Sequence, residues 1–167
     1  MPSGVTLELI VAYVDDLLDV SKYDEGEPAN GLMVDAGRSV TRLAAAVNTS
    51  FASIRGAAAA GAELLLVHHT TSASIDLDLK PKKEEALRAA GVSLYGAHAA
   101  LDCHPQFSNS ETLARLLSVR IQGRFVPYCG GLAGAYGDAD GSFAQFVERL
   151  RVELGWMRGK IARRLVG

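Results

Sequence analysis

Apolar and polar positions along the chain follow two periods, and each period predicts an element. Between Leu7 and Val20 the residues Leu9, Ile10, Tyr13, Leu17 and Val20 recur at helical spacing, while Asp15, Asp16 and Asp19 occupy other faces. This predicts an amphipathic helix. The stretch from Lys22 to Gly31 breaks the pattern with Gly, Pro, Asn and acidic residues, as a loop does. Leu32 to Val34 reads as a short strand and Arg42 to Val47 as a better one. Ser50 is placed to cap a helix from Phe51 to Ala60, with Gly61 ending it. A serine hydroxyl accepts an amide proton that the first turn leaves unpaired, and glycine takes the left-handed turn at the finish. Glu63 to Val67 is then a compact apolar run, expected to be a buried strand.

The segment from His68 to Leu79 reads as a long loop, and Pro81 suits the first turn of a helix that runs to Ala90 and stops at Gly91. Val92 to Tyr95 is a second buried strand, and Gly96 to Ser108 a second loop. Glu111 to Ser118 is expected to be helical, Val119 to Val126 extended and Phe143 to Leu154 an amphipathic helix, while Gly130 to Gly141 is glycine-rich. Ile161 to Val166 has the composition of a further strand. Strands that alternate with helices of this length predict an α/β fold, its sheet mixed or mostly parallel and flanked by helices. Residues 1–167 are expected to form one domain.

Composition narrows the function classes. Of the 167 residues, 49% are hydrophobic and 22% charged, enough apolar surface for a core without disulfide staples. A net charge of −2 and a pI near 6.1 give no electrostatic reason to expect nucleic acid or an anionic membrane as partner. Cys103 and Cys129 are too few for a disulfide framework. Glu8, Asp15 and Asp16 interrupt the N-terminal apolar stretch, and Ala57 to Val67 is too short to span a bilayer. The expectation is a soluble cytoplasmic protein.

Chemistry concentrates where two apolar strands end. Leu64-Leu65-Leu66-Val67 delivers His68 and His69, and the carboxyl ends of strands are where open α/β sheets place their ligands. Neighbours on a regular strand point to opposite faces. The pair therefore cooperates only if the backbone has left the strand or if each histidine serves a different metal; otherwise one ring packs and the other is solvated. Val92 to Tyr95 leads in the same way into Gly96-Ala97-His98-Ala99-Ala100-Leu101-Asp102-Cys103-His104-Pro105. Two parallel strands would bring imidazoles and a carboxylate to one sheet edge. Such a donor set suits zinc, iron, manganese or nickel better than calcium or magnesium, and a carboxylate can bridge two ions. The alternatives are that Asp102 caps a turn and that His98 is a satisfied core residue.

The segment Pro28-Ala29-Asn30-Gly31-Leu32, the strand ending in His68-His69, and then His98-x-x-Leu101-Asp102-x-His104-Pro105 with Asn109 together resemble the NIF-three-like family, whose members are commonly labelled GTP cyclohydrolase I type 2 homologues. The resemblance runs from about Asn30 onward. It implies a ring-shaped homohexamer holding two divalent transition-metal ions in a cleft. Carried over, His68, His69 and Asp102 match metal ligands of the family's N-terminal half, with Asp102 the bridge, and His98 lines the site as a further ligand, as an outer partner orienting Asp102 or a ligand water, or as a candidate catalytic base. It also implies that a second half supplies the remaining ligands; His104 is the last histidine here, so the chain is expected to carry half of a dinuclear site. Thr70 stands where the family usually has Pro or Gly, Ser72 to Asp78 lacks the expected aromatic, and Ala97 and Ala100 replace polar neighbours of His98.

Other signals carry less. Gly130-Gly131-Leu132-Ala133-Gly134 lacks the order of a dinucleotide fingerprint. Asp138-Ala139-Asp140-Gly141 has its glycine too early for a calcium loop, and Arg149 stands where the closing glutamate belongs. Cys103 reads as a small buried residue, Asn48-Thr49-Ser50 as an unused glycosylation match, and the basic residues between Arg158 and Arg164 as a solvated edge. The expected function is thus a metal-dependent hydrolase of a nucleotide or another phosphorylated small molecule. The alternatives are a non-catalytic, metal-stabilised interaction protein and an inactive short form.

Overall fold

A computed structural model of the protein describes residues 4–23, 29–72 and 76–154. Helix α1 (Leu7–Leu18) starts where the Thr6 hydroxyl accepts the Leu9 amide, and it ends at Asp19 in the left-handed conformation. A single 3-10 turn, Val20–Lys22, follows. The helix therefore stops short of Val20. Its buried side also differs from the expected stripe. Leu7 and Leu18 are buried with Ile10, Val11 and Val14 packed beside them, while Leu9 and Tyr13 are 64% and 67% exposed.

Four strands form the main sheet: β1 (Gly31–Val34), β2 (Leu43–Asn48), β3 (Leu64–His69) and β4 (Ser93–Gly96). Their order is β1-β4-β3-β2. β2, β3 and β4 run parallel, and β1 is antiparallel to β4, so the sheet is mixed and mostly parallel as expected. Helices α2 (Phe51–Ala59) and α3 (Leu79–Ala90) cover one face. There Ile54, Ala57 and Leu87 meet Leu65, Val67 and Leu94. α1 covers the other, where Leu7 meets Leu64 and Tyr95. Alternation along β3 sends Leu64 and Leu65 into opposite cores, which is why a doubly covered strand is apolar throughout. Ser50 and Ser53 form a reciprocal cap at the start of α2, and Gly91 closes α3 with φ +66.

The remaining elements are α4 (Ala99–Asp102), α5 (Asn109–Leu116), β5 (Val119–Tyr128), β6 (Gly131–Ala139) and α6 (Phe143–Glu153). β5 and β6 pair as an antiparallel hairpin, a separate two-stranded sheet. The glycine-rich segment, to which the sequence pattern assigned no element, is therefore largely a strand. Its glycines make room for aromatics: Gly134 lies across from Phe125 and Gly123 from Tyr136. A Cβ on Gly134 would come 2.8 Å from the Phe125 ring, and one on Gly123 would come 2.5 Å from the Tyr136 hydroxyl. The strand expected at Ile161 to Val166 and the basic residues from Arg158 to Arg164 lie outside the described residues. No helix among the described residues is long and apolar enough to cross a membrane.

Candidate metal centre

The sheet brings three of the four histidines to one point. β3 continues through His68 and His69 rather than ending before them, so the loop expected from His68 starts later. The rings nevertheless meet, with centroids 4.5 Å apart. The pairing of β3 with β4 ends at Val67 and Gly96, whereas the pairing with β2 runs on to Asn48 and His69. The last two residues of β3 thus have a sheet neighbour on one side only, and an imidazole is long enough to turn round the open edge. His98 follows β4 and places its ring 4.9 Å from that of His68 and 5.5 Å from that of His69. One ligand atom from each of the three lies within 4.8 Å of the others.

Asp102 joins from α4, a turn of helix that the sequence pattern did not predict. Its Oδ2 lies 3.5 Å from His68 Nε2, outside the three-imidazole group but against one member of it. The other oxygen, Oδ1, accepts a hydrogen bond from Asn109 Nδ2 at 3.0 Å. α4 is itself held at its start by Asn30, whose Oδ1 accepts the amides of His98 (2.7 Å) and Ala100 (3.1 Å). At its finish, Arg124 donates to the carbonyls of Cys103 (2.6 Å) and His104 (2.9 Å) and pairs with Glu111. Asn30, Asn109 and the Leu-Asp-x-His-Pro segment therefore belong to one arrangement.

Hydrogen bonds settle the protons of two imidazoles. His68 Nδ1 lies 2.8 Å from the carbonyl of Ala97 and His69 Nδ1 lies 2.5 Å from Asn48 Oδ1. The Ala97 carbonyl only accepts, so His68 Nδ1 carries a proton, and Asn48 with its Oδ1 toward His69 asks the same of His69 Nδ1; when neutral, each ring then has its lone pair on Nε2. His68 Nε2 faces Asp102 Oδ2, an approach that positive charge satisfies, carried either by a proton on the ring or by a metal ion beside it. Partial desolvation first, and then the neighbouring His68 and His98, hold the pKa of His69 below the usual histidine range, with Asp102 opposing them. A neutral imidazole is the form that binds a metal. Ring nitrogens tied on the outside and bare on the inside, beside an oriented carboxylate, are the outer support that metal-ligating side chains require. The residues present therefore fit a divalent transition ion.

His98 differs. Its Nδ1 lies 3.4 Å from the hydroxyl of Tyr128, the last residue of β5. Tyr128 and Asn48 are the two contributors that sequence reasoning missed. Asn48 was within reach, since a parallel neighbour of β3 must end at the same edge. Nothing in the sequence pointed to Tyr128. His104, which matched the family pattern without a role, stays outside the cluster. Its Nε2 donates to the carbonyl of Leu17 at 3.0 Å, and its Nδ1 accepts the amides of Gln106 and Phe107, each at 3.1 Å. It is a clasp between the end of α1 and the turn after α4.

Fold and site together define an α/β protein with a histidine and carboxylate cluster at the carboxyl edge of its sheet. The sequence profile of the family described as Duf34/NIF3 (NGG1p interacting factor 3) matches residues 5–165, and the chain belongs to that family. It is 34% identical over 134 residues to the GTP cyclohydrolase 1 type 2 homolog of Pyrococcus horikoshii, covering 78% of this chain and 53% of that protein. The corresponding homolog of Deinococcus radiodurans is 31% identical over 160 residues, covering 90% of this chain and 60% of the relative. The crystal structure of TTHA1606 from Thermus thermophilus superposes with a TM-score of 0.76 at 25% identity, covering 89% of this chain and 61% of that one. The chain thus spans little more than half the length of these relatives.

Proposed function

We propose that the chain holds divalent transition metal for hydrolysis of a nucleotide or another phosphorylated small molecule. The observation that carries this reading is the convergence of His68 Nε2 on Asp102 Oδ2 at 3.5 Å, with both imidazole protons of the His68-His69 pair committed elsewhere. His68, His69 and Asp102 would hold the metal. A divalent ion bound there supplies Lewis acidity, lowering the pKa of water and polarising the bond under attack. Asn109 keeps Asp102 turned inward, Asn48 and Ala97 keep the two imidazoles oriented, and His98 accepts the proton that the attacking water gives up. The name of the relatives points to a purine nucleotide as substrate class. We extend the reading to two ions, with ligands beyond His68, His69 and Asp102 completing the pair, and to a ring-shaped hexamer as the assembled form.

The test is metal content of the purified chain by plasma mass spectrometry, beside His68→Ala and Asp102→Ala. Transition metal near stoichiometry that both substitutions abolish is the expected result. Metal no higher in the wild type than in the two variants would remove the hydrolase reading. A second reading, a metal-stabilised interaction protein, is favoured by the exposed aromatic side of the hairpin, where Phe125 and Tyr136 are 51% and 56% accessible. Ions with no exchangeable water would support that reading over catalysis.

A further inference from the structure

α1, α2, α5 and α6 each start at a serine or threonine whose own hydroxyl accepts an amide of the first turn. α4 starts at His98, whose side chain makes no such bond. That imidazole is turned instead toward the rings of His68 and His69, 4.9 and 5.5 Å away. The missing acceptor comes from 68 residues earlier in the chain. Asn30 Oδ1 takes the amide of His98 at 2.7 Å and that of Ala100 at 3.1 Å. One oxygen thereby serves both the cap residue's own amide and a first-turn amide, the two roles that a capping box divides between two side chains. We propose that Asn30 is the positioning residue of the His98–Asp102 turn: it caps α4 in place of the His98 side chain, which releases that imidazole to the cluster and fixes where His98 and Asp102 stand. This rests on the metal-site reading above and adds the device by which one residue both starts a helix and joins the site.

The sheet places Asn30 for this task. It precedes Gly31, the first residue of β1, and Gly31 pairs with Gly96, the last residue of β4 and two positions before His98. The start of one strand therefore lies beside the finish of its antiparallel neighbour, which brings a side chain next to an amide far along the chain. Gly31 takes φ +95, a left-handed turn into β1 that glycine adopts at no steric cost. From His98 the constraint passes down the turn. The His98 carbonyl accepts the amides of Leu101 at 3.0 Å and Asp102 at 2.9 Å, so its amide is tied to Asn30 and its carbonyl to the residues that lead to Asp102. Both donor side chains thus leave one turn that is held at its start. Asparagine and aspartate cap helices about equally well, so the side-chain oxygen is the part of Asn30 that this role requires.

Asn30→Ala and Asn30→Asp on the full chain test this, the first removing the oxygen and the second keeping it. In metal-free protein, amide hydrogen exchange at His98 and Ala100 is expected to quicken in Asn30→Ala and to stay near wild type in Asn30→Asp. The imidazole resonances of His98 are expected to follow, displaced in the first variant and restored in the second. Zinc affinity by calorimetry is expected to fall about tenfold in Asn30→Ala, the lower end of losses seen when an outer partner of a ligand is removed, and to recover in Asn30→Asp. Unchanged protection of β2, β3 and β4 separates this from a general loss of stability. Wild-type exchange at His98 and Ala100 in Asn30→Ala would overturn the proposal, and so would unmoved His98 resonances. Exchange as fast in Asn30→Asp as in Asn30→Ala would overturn it too, and the aspartate variant decides alone if the alanine variant does not fold. Failure of the wild type to bind zinc would overturn the metal-site reading alone, since the exchange and resonance measurements need no metal.

Discussion

The main sheet and the β5–β6 hairpin bury their side chains in opposite ways. In the sheet both faces are covered, and Leu64, Leu94 and Tyr95 have no exposed surface at all. In the hairpin one side lies on the domain, through Arg124 and Tyr128, while Phe125, Leu132 and Tyr136 keep large exposed surfaces. A two-stranded hairpin is marginal by itself, so this one takes its stability from its inner side and from aromatics resting on glycines. The sheet supplies His68 and His69, His98 follows its strand β4, and the hairpin brings the Tyr128 hydroxyl beside His98. The difference teaches that the site draws on two regions buried to different degrees, a doubly covered sheet and a hairpin with one exposed side.

Leu94→Ala should break the comparison most severely. Removing a fully buried leucine from a doubly covered strand costs about 2–5 kcal/mol, read as a drop in the urea midpoint with the whole domain unfolding together. Arg124→Met comes next. It strips α4 of two carbonyl bonds and leaves Glu111, 15% exposed, without its partner, a loss on the order of 2–3 kcal/mol. Hydrogen exchange should then quicken in α4, α5 and the hairpin while β2, β3 and β4 keep their protection; uniform quickening would show that the two regions are one cooperative unit.

Acid should act on the sheet side. Glu63 accepts the amides of Arg42 and Thr41 at 2.9 Å each, and these bonds, Arg42 first, hold its pKa below the usual glutamate range against the opposing effect of burial. A carboxyl with a depressed folded pKa contributes stability that is complete above its unfolded value, near 4.3, and is lost as pH falls through the folded value. Melting temperature against pH should therefore bend down below about pH 4.5, and Glu63→Gln should lower the plateau and flatten that bend. An unchanged bend would place the acid sensitivity elsewhere. Phe125→Ala should have the smallest effect, within about 1 kcal/mol, because the ring is already half in solvent; a larger loss would mean that the outer side of the hairpin is covered in solution.

Much of the sheet was legible in the sequence because its strands are unbroken apolar runs closed by Gly61, Gly91 and the Ser50 cap. α1 shows the limit of periodicity. Leu7-Glu8-Leu9-Ile10-Val11-Ala12-Tyr13-Val14 is apolar on nearly every side, so two stripes fit a helix equally well and only packing against Leu64 and Tyr95 selects one. β6 was hidden for a different reason. Glycine signals a turn locally, whereas Gly134 and Gly137 sit in a strand paired with Phe125 and Ile121 across the hairpin. Short α4 has too few residues to show a period. His68, His69, His98 and Asp102 could be named as candidates because they follow apolar strands directly. Tyr128 could not, since its place beside His98 depends on how the hairpin docks.

Gly96 shows when the site comes into being. A Cβ there would overlap the Thr70 side-chain methyl and come 2.5 Å from the carbonyl oxygen of Ala29, so three stretches of chain crowd one crossing. One carries Asn30, the second has just left His69, and the third leads into His98. None of these is local to another, and contacts of that kind form late because the intervening loops must close first. The unfolded chain therefore offers a metal only pieces of this cluster, such as the adjacent His68 and His69, and a ligand that binds only the finished crossing would act as a latch on the completed sheet, slowing its opening.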